Sequence, residues 1–163
     1  MTFSQILSLV TCLFLLTACG FTPMYAQQGE TAAGRSEIKI AGIPNREGQM
    51  LRNHLIDRLY LNGEPQAPRY TLSFTEVTEA RSDLDITKSS EATRSQLTLK
   101  TTMMLTDDKG QQVLVRDLKT VTSFNVLGSE FATRITEKSA RESALEDIAR
   151  QAELGLNLYF AAQ

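Results

Sequence analysis

The sequence predicts an α+β domain with two helices packed on one face of a four-stranded, mainly antiparallel sheet. Apolar residues alternate with period two in three stretches, and a fourth stretch is strand-like with mixed phase. They recur at three- and four-residue spacing in two others. The order is strand, helix, three strands, helix, which suits helices layered on an antiparallel sheet. Composition agrees: of 163 residues, 42% are hydrophobic and 22% charged, enough to build a core. Lys+Arg 17 against Asp+Glu 19 leaves a net charge of -2. That balance excludes a charge-driven disordered chain and gives no reason to expect a nucleic-acid partner.

Residues 1–18 read as a lipoprotein signal peptide. The apolar run Ile6 to Leu16 is too short for a stable membrane span, which needs about 20 residues, but fits a secretory signal. Met1 to Gln5 contain no Lys or Arg, a departure from the usual signal. Leu16-Thr17-Ala18-Cys19 resembles a lipobox, with small side chains before the cut and a thiol for the lipid thioether. This pattern outweighs the alternative of a buried N-terminal helix. The expected covalent groups on Cys19 are diacylglycerol and an N-acyl chain, and no other cofactor or metal is expected. Each buried acyl methylene contributes ~0.8 kcal/mol, so such an anchor is effectively permanent. Gly20, where an Asp would favour inner-membrane retention, points to the periplasmic face of the outer membrane. Cys12 lies in the discarded segment, which rules out a disulfide framework in the body.

Residues 19–36 read as a lipid-attached tether, and residues 37–163 as the periplasmic domain. Glu37 to Ile43 alternates as a short strand. Pro44-Asn45 breaks it, with Asn45 as N-cap and Glu47 in the first turn of a helix carrying Leu51, Leu55 and Leu59 on one stripe. Asn62-Gly63 and two prolines stop that helix. Tyr70, Leu72 and Phe74 alternate, and Val77 is out of phase, as at a bulge. Asp83, Leu84 and Asp85 are expected in a solvated loop running on to Lys88, Ser89 and Ser90. Leu97, Leu99, Met103 and Leu105 mark the next strand, and Asp107-Asp108-Lys109-Gly110 a hairpin turn. The last strand, about Gln111 to Leu127, places Val113 and Val115 on one face and Leu114, Leu118, Phe124 and Val126 on the other, which leaves its buried face open. Ser129 caps a long helix with a stripe of Phe131, Ile135, Leu145, Ile148, Ala152, Leu156 and Tyr159. Glu137 to Arg141 and Glu146 to Arg150 are expected as i,i+4 pairs on its outer face.

No catalytic constellation is legible, and an enzyme is not expected. His54 is the single histidine and reads as a partly exposed helix residue. No nucleophile elbow, phosphate-cradling loop or metal-ligand spacing occurs. Arg94, Lys100, Arg116 and Lys119 lie in or beside strands and could face an anionic ligand, although edge strands also carry such charges to discourage pairing. Arg94 and Arg116 are the more pointed candidates, since guanidinium grips phosphate bidentately.

Leu16-Thr17-Ala18-Cys19-Gly20-Phe21-Thr22-Pro23-Met24-Tyr25 is similar to the start of the LPS-assembly lipoprotein family LptE, in which Leu usually stands where Met24 does. Thr122 to Leu127, Phe131-Ala132-Thr133 and Glu137 to Arg150 resemble the family's approach to, and start of, its last helix. The resemblance implies two helices on a four-stranded sheet. It also implies a lipoprotein that assembles with and plugs an outer-membrane β-barrel of LptD type, inserting lipopolysaccharide into the outer leaflet. Binding of lipopolysaccharide through positive side chains is implied as well. The Ser- and Thr-rich run Thr98, Lys100, Thr101 and Thr102 would suit the polar inner wall of a barrel. The rival reading is an auxiliary lipid-binding lipoprotein of a transport system without a barrel partner.

Overall fold

Ile38 and Ile40 are buried while Lys39 between them is exposed, the alternation of a strand with one face in the core. The computed structural model describes residues 37–86 and 92–163. Its elements are β1 (Ile38–Ile40), α1 (Asn45–Leu59), β2 (Tyr70–Phe74), β3 (Thr78–Ile86), β4 (Ala92–Asp107), β5 (Gln112–Asn125) and α2 (Glu130–Ala161). The α+β class matches expectation, and the element order does so with one strand more, β3, between the helices. The signal peptide, Cys19, the tether and Lys88 to Ser90 lie outside the described residues.

The sheet has five strands, not four. β4 is its centre: it pairs antiparallel with β5 along one edge and with both β2 and β3 along the other. β1 pairs parallel with β2, and α1 is the crossover between them. β3 is the strand that the sequence reading placed in a loop. Asp83 and Asp85 sit on it, in register with Ser95 and Arg94. Its helix-facing positions are Glu79, Arg81 and Asp83, so it lacks the apolar alternation by which strands are recognised.

The break between β2 and β3 is held from two sides. Thr75 N–H donates to the Thr102 carbonyl (3.0 Å), and Thr102 N–H donates to Thr75 Oγ1 (2.9 Å). Thr101 Oγ1 donates to the Thr75 carbonyl (2.9 Å). From the helix layer, Asn45 Nδ2 donates to the Val77 carbonyl (3.0 Å) and to Glu76 Oε1 (3.2 Å). Asn45 Oδ1 accepts from Gly48 N–H (2.7 Å), the capping bond expected of it. Its φ of 61° is left-handed, a region that Asn tolerates better than most residues.

Leu51, Leu55 and Leu59 of α1 are buried against the sheet, as are Leu145, Ile148, Ala149, Ala152 and Leu156 of α2. Leu118 and Phe124 of β5 are buried too, which identifies its helix-side face. Arg58 of α1 reaches both Glu146 and Glu153 of α2 at 3.2 Å. Glu146 is therefore paired across helices and not with Arg150, which pairs with Asp147. Ser129 caps α2 as expected. With 32 residues, α2 is ~48 Å long, and at its start the buried positions are Thr133 and Ala140, leaving Phe131 and Ile135 exposed, contrary to the expected continuous stripe.

Edge groups are partly closed by side chains. Ile40 N–H donates to the Tyr60 hydroxyl (2.8 Å) on the β1 side. On the β5 side, Thr136 Oγ1 donates to the Asn125 carbonyl (3.0 Å) and Gln151 Nε2 to the Lys119 carbonyl (3.3 Å). The Asp107 to Gly110 turn forms as expected, with Asp107 Oδ1 accepting from Lys109 and Gln111 N–H and Gly110 at φ 79°.

Gly48 is the tightest point of the α1 approach. A Cβ there would lie 2.7 Å from Ile43 Cγ2 and 3.1 Å from the Ile43 carbonyl carbon and oxygen. Gly48→Ala should therefore destabilise the domain by about 1–3 kcal/mol despite alanine's better helix propensity, read as a lower urea midpoint at unchanged slope.

Candidate functional site

The odd-numbered residues of β4 from Ser95 to Leu105 are all buried under the helices, so the even-numbered ones form the opposite face. No described element covers that open face. Register extends it across the sheet: Thr98 stands opposite Val121, Lys100 opposite Lys119, Thr102 opposite Asp117, and Arg94 opposite Asn125. Lys39 shares the face through β1, where it is in register with Thr71. Hydroxyl and amide side chains fill most of the rest.

Lys100 and Lys119 are both exposed and directly opposed across β4 and β5. Their β3 neighbour in the same row is Thr78, whose Oγ1 donates to the Lys100 carbonyl (3.3 Å). Among the described residues neither lysine has a carboxylate within ion-pair distance. Asp117, in the next row, accepts instead from Thr102 Oγ1 (2.7 Å). Like charges placed directly across a strand pair repel and weaken the pairing. Arg94 lies three rows from Lys100 along β4, with both Nε and Nη2 on Ser123 Oγ (3.2 and 2.8 Å).

Of the four basic residues singled out in the sequence, the structure brings Arg94, Lys100 and Lys119 onto one face. Arg116 is on the other: it is in register with buried Met103 and lies across α2 at Gly155, where a Cβ would come within 3.0 Å of its Nη1. Thr101 also leaves the expected set, being buried at the β2–β3 break. Lys39 was missed, although the pattern Ile-Lys-Ile places its side chain opposite the core.

The helix side holds a second charged group. Arg141 donates to both oxygens of Glu79 (2.6 and 2.7 Å) and to Glu137 Oε1 (2.8 Å). Arg81 Nη1 reaches Glu137 Oε2 (3.4 Å), its Nη2 donates to Ser95 Oγ (3.2 Å), and its guanidinium stacks 5.1 Å from the Phe124 ring centroid. Ser95 Oγ donates to Asp83 Oδ1 (2.6 Å). The expected Glu137–Arg141 pair thus faces β3, not solvent. The hydrogen bond to Glu79 is the main cause of the upward shift of the Arg141 pKa, which keeps it charged.

His54 is half-buried on α1 beside a groove that Asp57, Glu142 and Glu146 also line. Among the described residues no cluster of three or more His, Cys, Asp or Glu is placed to hold a metal, and no described helix is long and apolar enough to cross a membrane.

The sequence matches the model of the lipopolysaccharide-assembly family LptE over residues 36–152. The chain belongs to the LptE family. Solved structures agree on the fold. A protein named as a lipoprotein from Caulobacter crescentus superposes with a TM-score of 0.66 at 21% identity, covering 82% of this chain and 97% of that one. A minor lipoprotein from Acinetobacter baumannii gives 0.60 at 21%, covering 76% and 92%. An uncharacterised lipoprotein B from Nitrosomonas europaea gives 0.60 at 11%, covering 77% and 84%. No curated protein matches the sequence.

In this LptE-family chain, one carboxylate ties the β5 side of the site to α2. Asp147 Oδ2 accepts from Thr120 Oγ1 (2.7 Å) and Gln151 Nε2 (2.8 Å), and Arg150 pairs with its other oxygen. The Thr120 hydrogen bond chiefly holds the Asp147 carboxyl below the usual carboxylate range, against the opposing effect of burial. A pKa lowered by folding stabilises above the unfolded value and is lost as pH falls through the folded one. Asp147→Asn should therefore cost about 1 kcal/mol at neutral pH. In urea melts, the gap between the two proteins should close as pH drops below about 3.9.

Proposed function

We propose that this chain is an outer-membrane lipoprotein that assembles with and plugs an LptD-type β-barrel, and that its open sheet face meets the phosphates of lipopolysaccharide through Lys100, Lys119 and Arg94. The observation that carries the ligand part is the opposed lysine pair. Two ammonium groups without an acidic partner weaken the sheet that holds them, and a bound anion removes that repulsion. Arg94 adds a guanidinium on the same face three rows away, about 20 Å along β4, able to grip a further phosphate bidentately. Nothing in this reading requires covalent chemistry, so the protein acts as a binder and assembly factor and not as an enzyme.

Family membership supports a place in lipopolysaccharide assembly. Attachment to the periplasmic face of the outer membrane rests on the lipobox at Cys19, with its diacylglycerol and N-acyl chain. The barrel partner rests on the family's role. A polar, hydroxyl-rich sheet face is chemically suited to the water-lined interior of such a barrel.

Lys119→Glu separates binding from folding. Opposite Lys100 it creates an attractive pair, so it should raise stability by about 0.2–1 kcal/mol. It should also weaken lipopolysaccharide binding about tenfold at low salt, measured with the soluble domain and purified ligand. Unchanged affinity in the stabilised variant counts against the site. Co-purification from outer membranes in mild detergent tests the partner: a stoichiometric LptD-type barrel is expected, and a lipid transporter in its place would favour the rival reading. Cys19→Ser should leave the domain folded but unprocessed and poorly incorporated into that complex.

A further inference from the structure

At the Thr75–Val77 break the contact between sheet and helices changes in kind. Before it, the helix-side residues are Ile38, Ile40, Leu72 and Phe74, all buried. α1 covers this half, starting at Asn45 beside the Val77 carbonyl and ending where the Tyr60 hydroxyl meets Ile40. After the break, the helix-side residues of β3 are Glu79, Arg81 and Asp83, set there by their register with Leu99, Leu97 and Ser95. They meet α2 through charge alone: Glu79 with Arg141, and Arg81 with Glu137. β3 has β4 as its one strand partner among the described residues.

We propose that the Glu79–Arg141–Glu137–Arg81 chain is an ionic latch, and that raised ionic strength releases β3 from the N-terminal part of α2 about the Thr75–Val77 break while the apolar half stays closed. The four side chains are partly exposed, so mobile ions screen them. Burial of Leu51, Leu72 and Leu145 has no such dependence, because added salt does not weaken apolar burial. The two halves therefore respond differently to one variable. Release uncovers Leu97, Leu99 and Phe124, which are otherwise buried beneath the latch.

Hydrogen exchange read by mass spectrometry on the full chain in detergent tests the latch, at about 0.01 and about 1 M NaCl, where the screening lengths are roughly 30 and 3 Å. Amides of residues 78–86 and 130–141 should exchange about tenfold faster at the higher salt, with residues 70–74 and 145–160 unchanged. Glu79→Gln should reproduce that pattern at low salt. Glu79→Arg should do so more strongly, and pairing it with Arg141→Glu should restore protection. The salt comparison needs no variant, so it decides even if Glu79→Arg fails to fold. Equal acceleration in both halves, or none in either, overturns the latch.

Discussion

Everything in this fold is referred to the alternation of β4. From Ser95 to Leu105 each odd-numbered residue is buried beneath the helices and each even-numbered one is turned away from them. A shift of one residue in its pairing would exchange the two faces, moving Lys100 into the core and Leu99 out of it. The burial of Leu97, Leu99, Met103 and Leu105 therefore fixes the register of β2, β3 and β5 together. The basic open face is a by-product of that same constraint. Lys100 and Lys119 are held opposite each other by the buried residues on either side of them, Leu99 and Thr101, and Leu118 and Thr120, not by any attraction of their own.

The second organising feature is the division at Thr75–Val77. Asn45 joins it to the start of α1, and Thr101 and Thr102 join it to β4, so one break serves as the meeting point of strand, helix and sheet centre. On one side β1 and β2 meet the helices through leucine, isoleucine and phenylalanine; on the other β3 meets α2 through arginine and glutamate. α2 is the helix that runs along both, as β4 does within the sheet. Its interior positions change accordingly, from Glu137 and Arg141 to Leu145, Ile148, Ala152 and Leu156.

Much of this was legible in the residues. Alternation identified β2 and β4, the Leu51, Leu55 and Leu59 spacing identified α1, and the out-of-phase Val77 marked the break. β3 was not, because its inward residues are charged, and Glu79 and Arg81 find their α2 partners 62 and 56 positions away in the chain. No local pattern encodes that. Phe131 and Ile135 continue the periodicity of α2, but at that end Thr133 and Ala140 are the buried positions, and periodicity does not fix which side of a long helix meets the sheet along its whole length. At the candidate site, Arg94, Lys100 and Lys119 were picked out as charges on strands, and strand parity could have separated Arg116 from them. The phase of β5 was ambiguous because Val115 and Val121 are apolar yet face outward, while Thr120 faces the helices and is buried there.

The donors that α2 extends to the Asn125 and Lys119 carbonyls have a consequence for how such a molecule behaves among other strands. An uncovered strand of 14 residues would be a template on which any extended chain could add itself. With Thr136 and Gln151 already occupying acceptors at two places along that border, an incoming strand would have to break existing bonds before making new ones. A sheet with such a border can lie against other strands without being stitched into them, and its contacts with them are left to side chains.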